Sequence, residues 1–263
     1  MSPEVDTVRD CGVSAILTND VSISQQQQQL PVDENTKQGS VRSVSCGPNI
    51  QLVLVLDKQG FFAKPSHVRP FFRFSPVPDG RAITPLINTL LSLTTFTLKI
   101  ATKDWHPQPH LLCLLPPFIS TQTPLPRPHN HHQPLNPSES YTTRLWPAHC
   151  IQHTPGAELI PELNTSQLTH TIDKGTDPAF EMYSAFYAPL QNPRAGDTGL
   201  AKLLREHEIT HVYVVGLAGD YCVRCTAEDA AREGFETFVI EEGTRAVDPE
   251  AWEGCKREME GKG

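Results

Sequence analysis

The sequence predicts an α/β protein, a doubly wound and mostly parallel sheet with helices on both faces. Three observations predict it. Leu52-Val-Leu-Val-Leu56 is a run of leucines and β-branched residues without helical periodicity, as long as a strand buried on both faces needs to be. Residues 211 to 240 read as strand, glycine-containing turn, helix, glycine stop and strand, a βαβ unit whose two strands must lie parallel. With 263 residues, the chain is long enough for one well-buried core.

Taken in order, residues 1–50 carry a glutamine run, Gln25 to Gln29, followed by proline, aspartate and asparagine. Such a composition predicts a disordered extension, leaving residues 51–263 as the folded domain. The first strand ends at Asp57. Residues 63–75 are basic and aromatic and read as an irregular insertion. Helical spacing covers Ile83 to Leu93, an extended segment covers Phe96 to Ala101, and Lys103-Asp-Trp-His106 follows at its C-terminal end. A second irregular insertion is expected near 111–140, where prolines from Pro116 to Pro137 interrupt any regular element and His129, His131 and His132 cluster. Order resumes with Leu145-Trp-Pro-Ala-His-Cys150, a strand near His170 to Asp173 and a helix from Thr198 to Glu206. The βαβ unit then supplies a strand at His211–Val215, a turn at Gly216–Asp220, a helix at Cys222–Glu233 ended by Gly234, and a strand at Phe235–Ile240.

Charge and composition narrow the function. Twenty-two Lys and Arg against 30 Asp and Glu give a net charge of −8, and no basic run is long enough to track a phosphate backbone or an anionic membrane. Nucleic-acid and membrane partners are therefore not expected. No apolar stretch approaches the roughly 20 residues a bilayer requires, and no signal peptide opens the chain. Seven scattered cysteines read as thiols of an intracellular, cytoplasmic protein.

Several residue types could carry chemistry. Cys222 lies where a strand, a short turn and a helix meet, so its sulfur would sit in the first turn of a helix. Backbone N–H groups there favour a thiolate and can hold an oxyanion. Position alone does not separate this reading from a small buried hydrophobe. Cys225 completes a Cys-x-x-Cys pair, but no second pair exists to make a zinc site, and the residues between do not resemble a redox motif. Asp104 and His106 alternate along an extended segment, so both side chains face one side, and His149 could complete an O,N,N ligand set for a zinc-like ion. The rival cluster at His129, His131 and His132 stands in a proline-rich tract that reads as solvated. Asp57 and Lys174 each follow a strand, so a carboxylate and an ammonium could converge on the thiol, or could be a turn cap and a surface charge.

The segments Lys103-Asp-Trp-His-Pro-Gln-Pro-His110, Leu145-Trp-Pro-Ala-His-Cys150, Asp173-Lys-Gly-Thr-Asp-Pro178, Tyr183-Ser-Ala-Phe186 and Gly216-Leu-Ala-Gly-Asp-Tyr-Cys-Val223 resemble nicotinamidases of the isochorismatase-like hydrolase superfamily. The resemblance implies catalytic Asp57, Lys174 and Cys222, and a divalent metal, zinc before iron or manganese, held by Asp104, His106 and His149. It implies nicotinamide as substrate, nicotinate and ammonia as products of a cysteine thioester route in NAD salvage, and an oxyanion hole made by Ala218 and Cys222. Trp105, Phe62 and Tyr183 are the candidate aromatic wall around the ring. Association into a homo-oligomer stays open.

The chain also departs from the family. After Asp57-Lys-Gln, Phe61 stands where the family places a second acid, and residues 63–75 do not resemble its loop until Val77-Pro-Asp-Gly80 restores the pattern. Leu111 to Leu115 and the proline tract replace a Ser-Phe segment after His110, and the family's last strand has no counterpart before Gly263. Two abrupt breaks between good matches are what a translated intron or a divergent paralogue leaves. The readings to weigh are thus a nicotinamidase, a cysteine hydrolase of another small amide, and an inactive homologue that binds a pyridine, a metal or a protein partner.

Overall fold

The computed structural model describes residues 9–10, 52–57, 77–108, 128–133, 135–144, 146 and 149–261. Its strands are β1 (Arg9–Asp10), β2 (Leu52–Asp57), β3 (Phe96–Asp104), β4 (Pro128–Gln133), β5 (Asn136–Arg144), β6 (His170–Lys174), β7 (His211–Leu217) and β8 (Glu236–Arg245). Six of them form one sheet in the order β1-β8-β7-β2-β3-β6, with every neighbouring pair parallel. The chain therefore winds outward from β2 in both directions, to β3 on one side and to β7 on the other.

β7 shows why the sheet takes helices on both faces. All seven of its residues are buried. Val212 and Val214 pack with Ile100, Leu200, Leu204, Val223 and Met259 in one core. The alternate residues Tyr213, Val215 and Leu217 pack with Ile83, Ile87, Leu90 and Ile240 in another. Helix α1 (Thr84–Ser92) covers the second face, while α2 (Leu200–Glu206), α3 (Arg224–Arg232) and α4 (Trp252–Glu260) contribute to the first. Apolar residues at a spacing of three and four, Ile87, Leu90 and Leu91, give α1 its buried stripe, and Pro85 in the first turn fixes the chain for helix entry. In α3 the buried residues are, besides Asp229, small: Thr226, Ala227, Ala230 and Ala231, which lets the helix lie close on the sheet. No helix among the described residues is long and apolar enough to cross a membrane.

The structure corrects the sequence reading in four places. The helix expected from Cys222 begins at Arg224, because Val223 N–H reaches back five residues to Ala218 O and makes Gly219–Val223 a π-helical turn. The region near 111–140, expected to be irregular, contains the antiparallel ribbon β4–β5. Pro128 opens β4, and Pro137 falls within the register shift between the two strands, positions where a missing N–H is tolerated. Within the expected N-terminal extension, Arg9 and Asp10 pair with Phe238 and Val239 at the sheet edge. Helix α4, not anticipated at all, buries Cys255 and Met259. The remainder of residues 1–50, Phe62, the insertion at 63–75 and residues 111–127 lie outside the described residues.

Helix α4 also seats the turn that carries Cys222. A Cβ on Gly219 would come within 2.9 Å of Thr244 Cγ2 and Trp252 Cζ3. The substitution Gly219→Ala is therefore expected to cost about 1–3 kcal/mol of stability by overpacking. Urea unfolding measures it, and an unchanged midpoint would mean that Trp252 does not press on the turn.

Candidate active site

Because β2, β3, β6 and β7 are parallel, their C-terminal ends open on one edge of the sheet, and the register sets which residues meet there. Asp57 stands between Thr102 of β3 and Gly216 of β7. Asp104 stands beside Lys174. Three strands thus end in charged residues on one edge, next to the turn after β7, at the point where the strand order reverses. The side chain of Asp57 lies outside the described residues.

Lys174 has no exposed side-chain surface, and a buried ammonium is stable only with partners. It donates to Asp104 Oδ1 and, at 3.3 Å, to Cys222 Sγ. Burial raises the Asp104 carboxyl, but the Lys174 ammonium, with His106 and His149, outweighs it and holds the group below the ordinary carboxylate range. An ammonium hydrogen bond to sulfur favours the thiolate. Cys225 is treated differently: burial first, then Glu228 and Asp229, push its thiol up to about 12. The two cysteines are therefore not an equivalent dithiol.

The turn itself is pinned. The Ala218 carbonyl accepts from the N–H groups of Tyr221 and Val223, each at 3.1 Å. Asp220 accepts from Val247 N–H at 2.9 Å and Asp248 N–H at 3.0 Å. Ala218 and Cys222, the expected oxyanion donors, stand at the two ends of this fixed segment.

Asp104 also stands among atoms that could ligate a metal. His106 is buried, and its Nδ1–H donates to Gly175 O at 3.0 Å. A carbonyl can only accept, so the proton sits on Nδ1 and Nε2 presents its lone pair, as a ligating imidazole must. Gly175 is required at this contact: its φ is +64°, and a Cβ would lie 2.6 Å from His106 Cε1. His106 N–H donates to Cys150 O at 3.0 Å and Gln152 N–H to His106 O at 2.8 Å, which lays residues 149–152 against His106. The His149 ring consequently sits 5.0 Å from that of His106, centroid to centroid. Ligand atoms of Asp104, His149 and Cys150 all lie within 4.8 Å of one another; His106, the third ligand expected, is not in that group. Oxygen, imidazole nitrogen and sulfur donors together suit a borderline-soft divalent cation. Cys150 stood in the sequence motif but was assigned no role there.

Aromatic residues cluster around Tyr221, the neighbour of Cys222 in the turn. Tyr183 packs edge-on against Tyr221 at 5.3 Å, and Tyr221 against Trp146 at 4.9 Å. The Tyr183 hydroxyl accepts from Trp146 Nε1 at 2.8 Å and shares a 2.9 Å bond with Thr143 Oγ1. Burial raises that phenol above its ordinary range, so it offers the site a neutral ring face. The described partners of Trp105 are Lys103, whose ammonium lies 3.9 Å over the ring, and His153. Trp146 and Tyr221, to which the sequence reading gave no role, pack with Tyr183. Glu181 is a further residue the sequence reading passed over. It is 3 % exposed, and burial first, then the Asp104 charge, push its carboxyl up to about 8.

Residues 117–263 match the family model of the isochorismatase domain. The chain is 37% identical over 174 residues to a nicotinamidase of Acinetobacter baylyi, covering 65% of this chain and 73% of that protein. Among solved structures it resembles the yeast nicotinamidase bound to the inhibitor nicotinaldehyde, with a TM-score of 0.67 and 27% identity over 80% of this chain and 96% of that one. It also resembles the pyrazinamidase of Pyrococcus horikoshii in complex with zinc, with a TM-score of 0.56 and 30% identity over 81% and 96%.

The raised carboxyl has a measurable consequence. The folded metal-free chain holds the Glu181 proton more tightly than the unfolded chain, whose carboxyl titrates near 4.5. This contribution to stability is fully present below about pH 4.5 and is lost as the pH rises through about 8. Asp104, shifted the opposite way, is already ionised across that window. Denaturation of the metal-free protein at pH 5 and pH 9 is expected to show a loss on the order of 4 kcal/mol relative to Glu181→Gln. Parallel pH profiles for the two proteins would contradict the shift.

Proposed function

We propose that this chain, which belongs to the isochorismatase family, is a nicotinamidase that hydrolyses nicotinamide to nicotinate and ammonia in NAD salvage. The observation that carries the reading is the buried Lys174 donating at once to Cys222 Sγ and to Asp104, with metal-ligating side chains beside it. A thiol with a fixed cation, at the start of a helix and next to a cation site, is equipped for covalent attack on a small amide.

The steps follow from the positions. Asp57, at the end of β2, takes the proton of Cys222, and Lys174 holds the resulting thiolate. The sulfur adds to the carboxamide carbon, and the carbonyl π electrons move to oxygen, where the N–H groups of Ala218 and Cys222 stabilise the oxyanion. The C–N bond then breaks, the leaving nitrogen takes the proton from Asp57, and ammonia departs from a thioester. Water attacks the thioester carbon as Asp57 removes its proton, the C–S bond breaks, and nicotinate leaves a regenerated thiolate. Asp104, His106 and His149, with Cys150 beside them, would hold a zinc ion, which supplies a Lewis acid for the pyridine nitrogen and so orients the ring. Tyr183, Tyr221 and Trp146 enclose that ring and exclude water from the thioester until the amine has gone.

Ammonia release from nicotinamide by the purified chain, with and without zinc, tests the proposal. Zinc-dependent release that Cys222→Ala lowers by at least about a thousandfold is expected. A folded, zinc-loaded protein that releases no ammonia from nicotinamide but does so from pyrazinamide would reassign the substrate. One that releases none from either would make it an inactive homologue.

A further inference from the structure

We propose that Gln152 is a positioning residue for the cation site, its side-chain amide tying the turn that carries His149 to the extended chain that carries Asp104 and His106. The inference rests on the reading of Asp104, His106 and His149 as that site.

The three side chains come from two separate pieces of chain. Asp104 ends β3, and among the described residues His106 forms an isolated parallel bridge with Ile151. That bridge consists of two backbone bonds, His106 N–H to Cys150 O at 3.0 Å and Gln152 N–H to His106 O at 2.8 Å. Both meet at one residue, so by themselves they make a hinge. The Gln152 side chain adds a third bond one residue earlier, its Nε2 donating to Trp105 O at 2.9 Å. Trp105 in turn gives its N–H to Lys174 O at 2.8 Å. One peptide unit on either side of Trp105 thus links the turn to β6, and the hinge is closed.

The turn needs this hold. Cys150, the neighbour of His149, has a φ of +46°, and His153 has one of +62°, both in the left-handed region that a residue with a Cβ adopts only at a cost. Such a backbone relaxes unless its surroundings fix it. Gln152 lies between the two, and relaxation at Cys150 would swing His149, whose ring stands 5.0 Å from that of His106. The backbone bonds form with any residue at position 152 that has an N–H. The third bond requires a side-chain donor with the reach of glutamine, which makes it specific to this residue. A group that orients a ligand in this way raises the affinity of the site without touching the ion.

The test is zinc affinity, measured by calorimetric titration into the metal-stripped full chain. Gln152→Met keeps the length of the side chain and removes the donor, and it is expected to weaken zinc binding about 10- to 100-fold. Thr154→Val is the control for a merely structural role. Thr154 Oγ1 donates to Ile151 O at 2.6 Å, so this variant loosens the same turn without releasing Trp105. It is expected to lower the thermal midpoint of the metal-free protein and to keep the parent's zinc affinity. Parental affinity in the folded methionine variant overturns the proposal. An equal loss of affinity in Gln152→Met and Thr154→Val also overturns it, because the amide would then only support the turn. If the methionine variant does not fold, Gln152→Asn, whose arm is too short to reach Trp105 O, takes its place under the same two criteria. Asp104→Asn serves as the reference and is expected to abolish binding. If it binds zinc like the parent, the cation site is elsewhere and the proposal falls with that reading, whatever the Gln152 variants do.

Discussion

One buried ammonium organises this molecule. The Lys174 side chain is excluded from solvent, and an isolated charge in that position would unfold the chain or lose its proton. Its contacts to Asp104 and Cys222 are therefore structural requirements before they are functional ones. They demand that β3 and β6 pair in the single register that sets Asp104 beside Lys174, since a slip of one residue would turn each side chain to the opposite face. They also demand that the turn after β7 bring a sulfur to within 3.3 Å of the same nitrogen. Stability and chemistry converge on one contact, so the site is assembled as the sheet forms.

The rest of the fold serves to keep that turn in place. Asp220 ties it to the chain beyond β8, through Val247 and Asp248. Thr244 and Trp252 close over Gly219, where no side chain fits. β8 contributes by running past Ile240 to Arg245, after a break in register, so that Thr244 and Arg245 pair with Gly216 and Leu217 at the end of β7. The strand thus supports the turn from one side and α4 caps it from the other. A nucleophile on a free loop would lose far more to conformational entropy on each encounter with substrate.

How much of this the sequence reveals depends on whether the signal is local. The strand at Leu52–Leu56 and the unit from His211 to Ile240 carry their structure in short-range patterns, and both stand in the structure with small shifts at their ends. The extended run that carries Asp104 and His106 is legible for the same reason, through the two-residue period of an extended chain. What was not legible depends on distant partners. Nothing local predicts that Trp146 joins Tyr183 and Tyr221, because the contact is made by residues distant in the sequence. Glu181 looks like a surface acid until Tyr141, 40 residues earlier, is seen to hold it. The π-helical turn likewise follows from a carbonyl at Ala218 shared by two donors, which no propensity scale records.

The proline-rich insertion carries the least obvious lesson. By composition it is an interruption, yet the strand that ends it is built into the site by simple alternation. Along β5, Glu139, Tyr141 and Thr143 share one face. Glu139 accepts from Gln191 and Asn192 N–H groups, Tyr141 clamps the backbone of Glu181, and Thr143 bonds the Tyr183 hydroxyl. Each contact fixes a part of the 181–192 segment, which has little regular structure of its own and passes beside both the thiol and the cation donors. The ribbon therefore acts as the missing strand partner for that segment, with side chains in place of a backbone ladder. Such a device places few demands on the sequence that connects it to the sheet, because only alternate residues of one strand must be kept. That is how a sequence as rich in proline as residues 116–137 can stand between Asp104 and His149 while the two residues still meet.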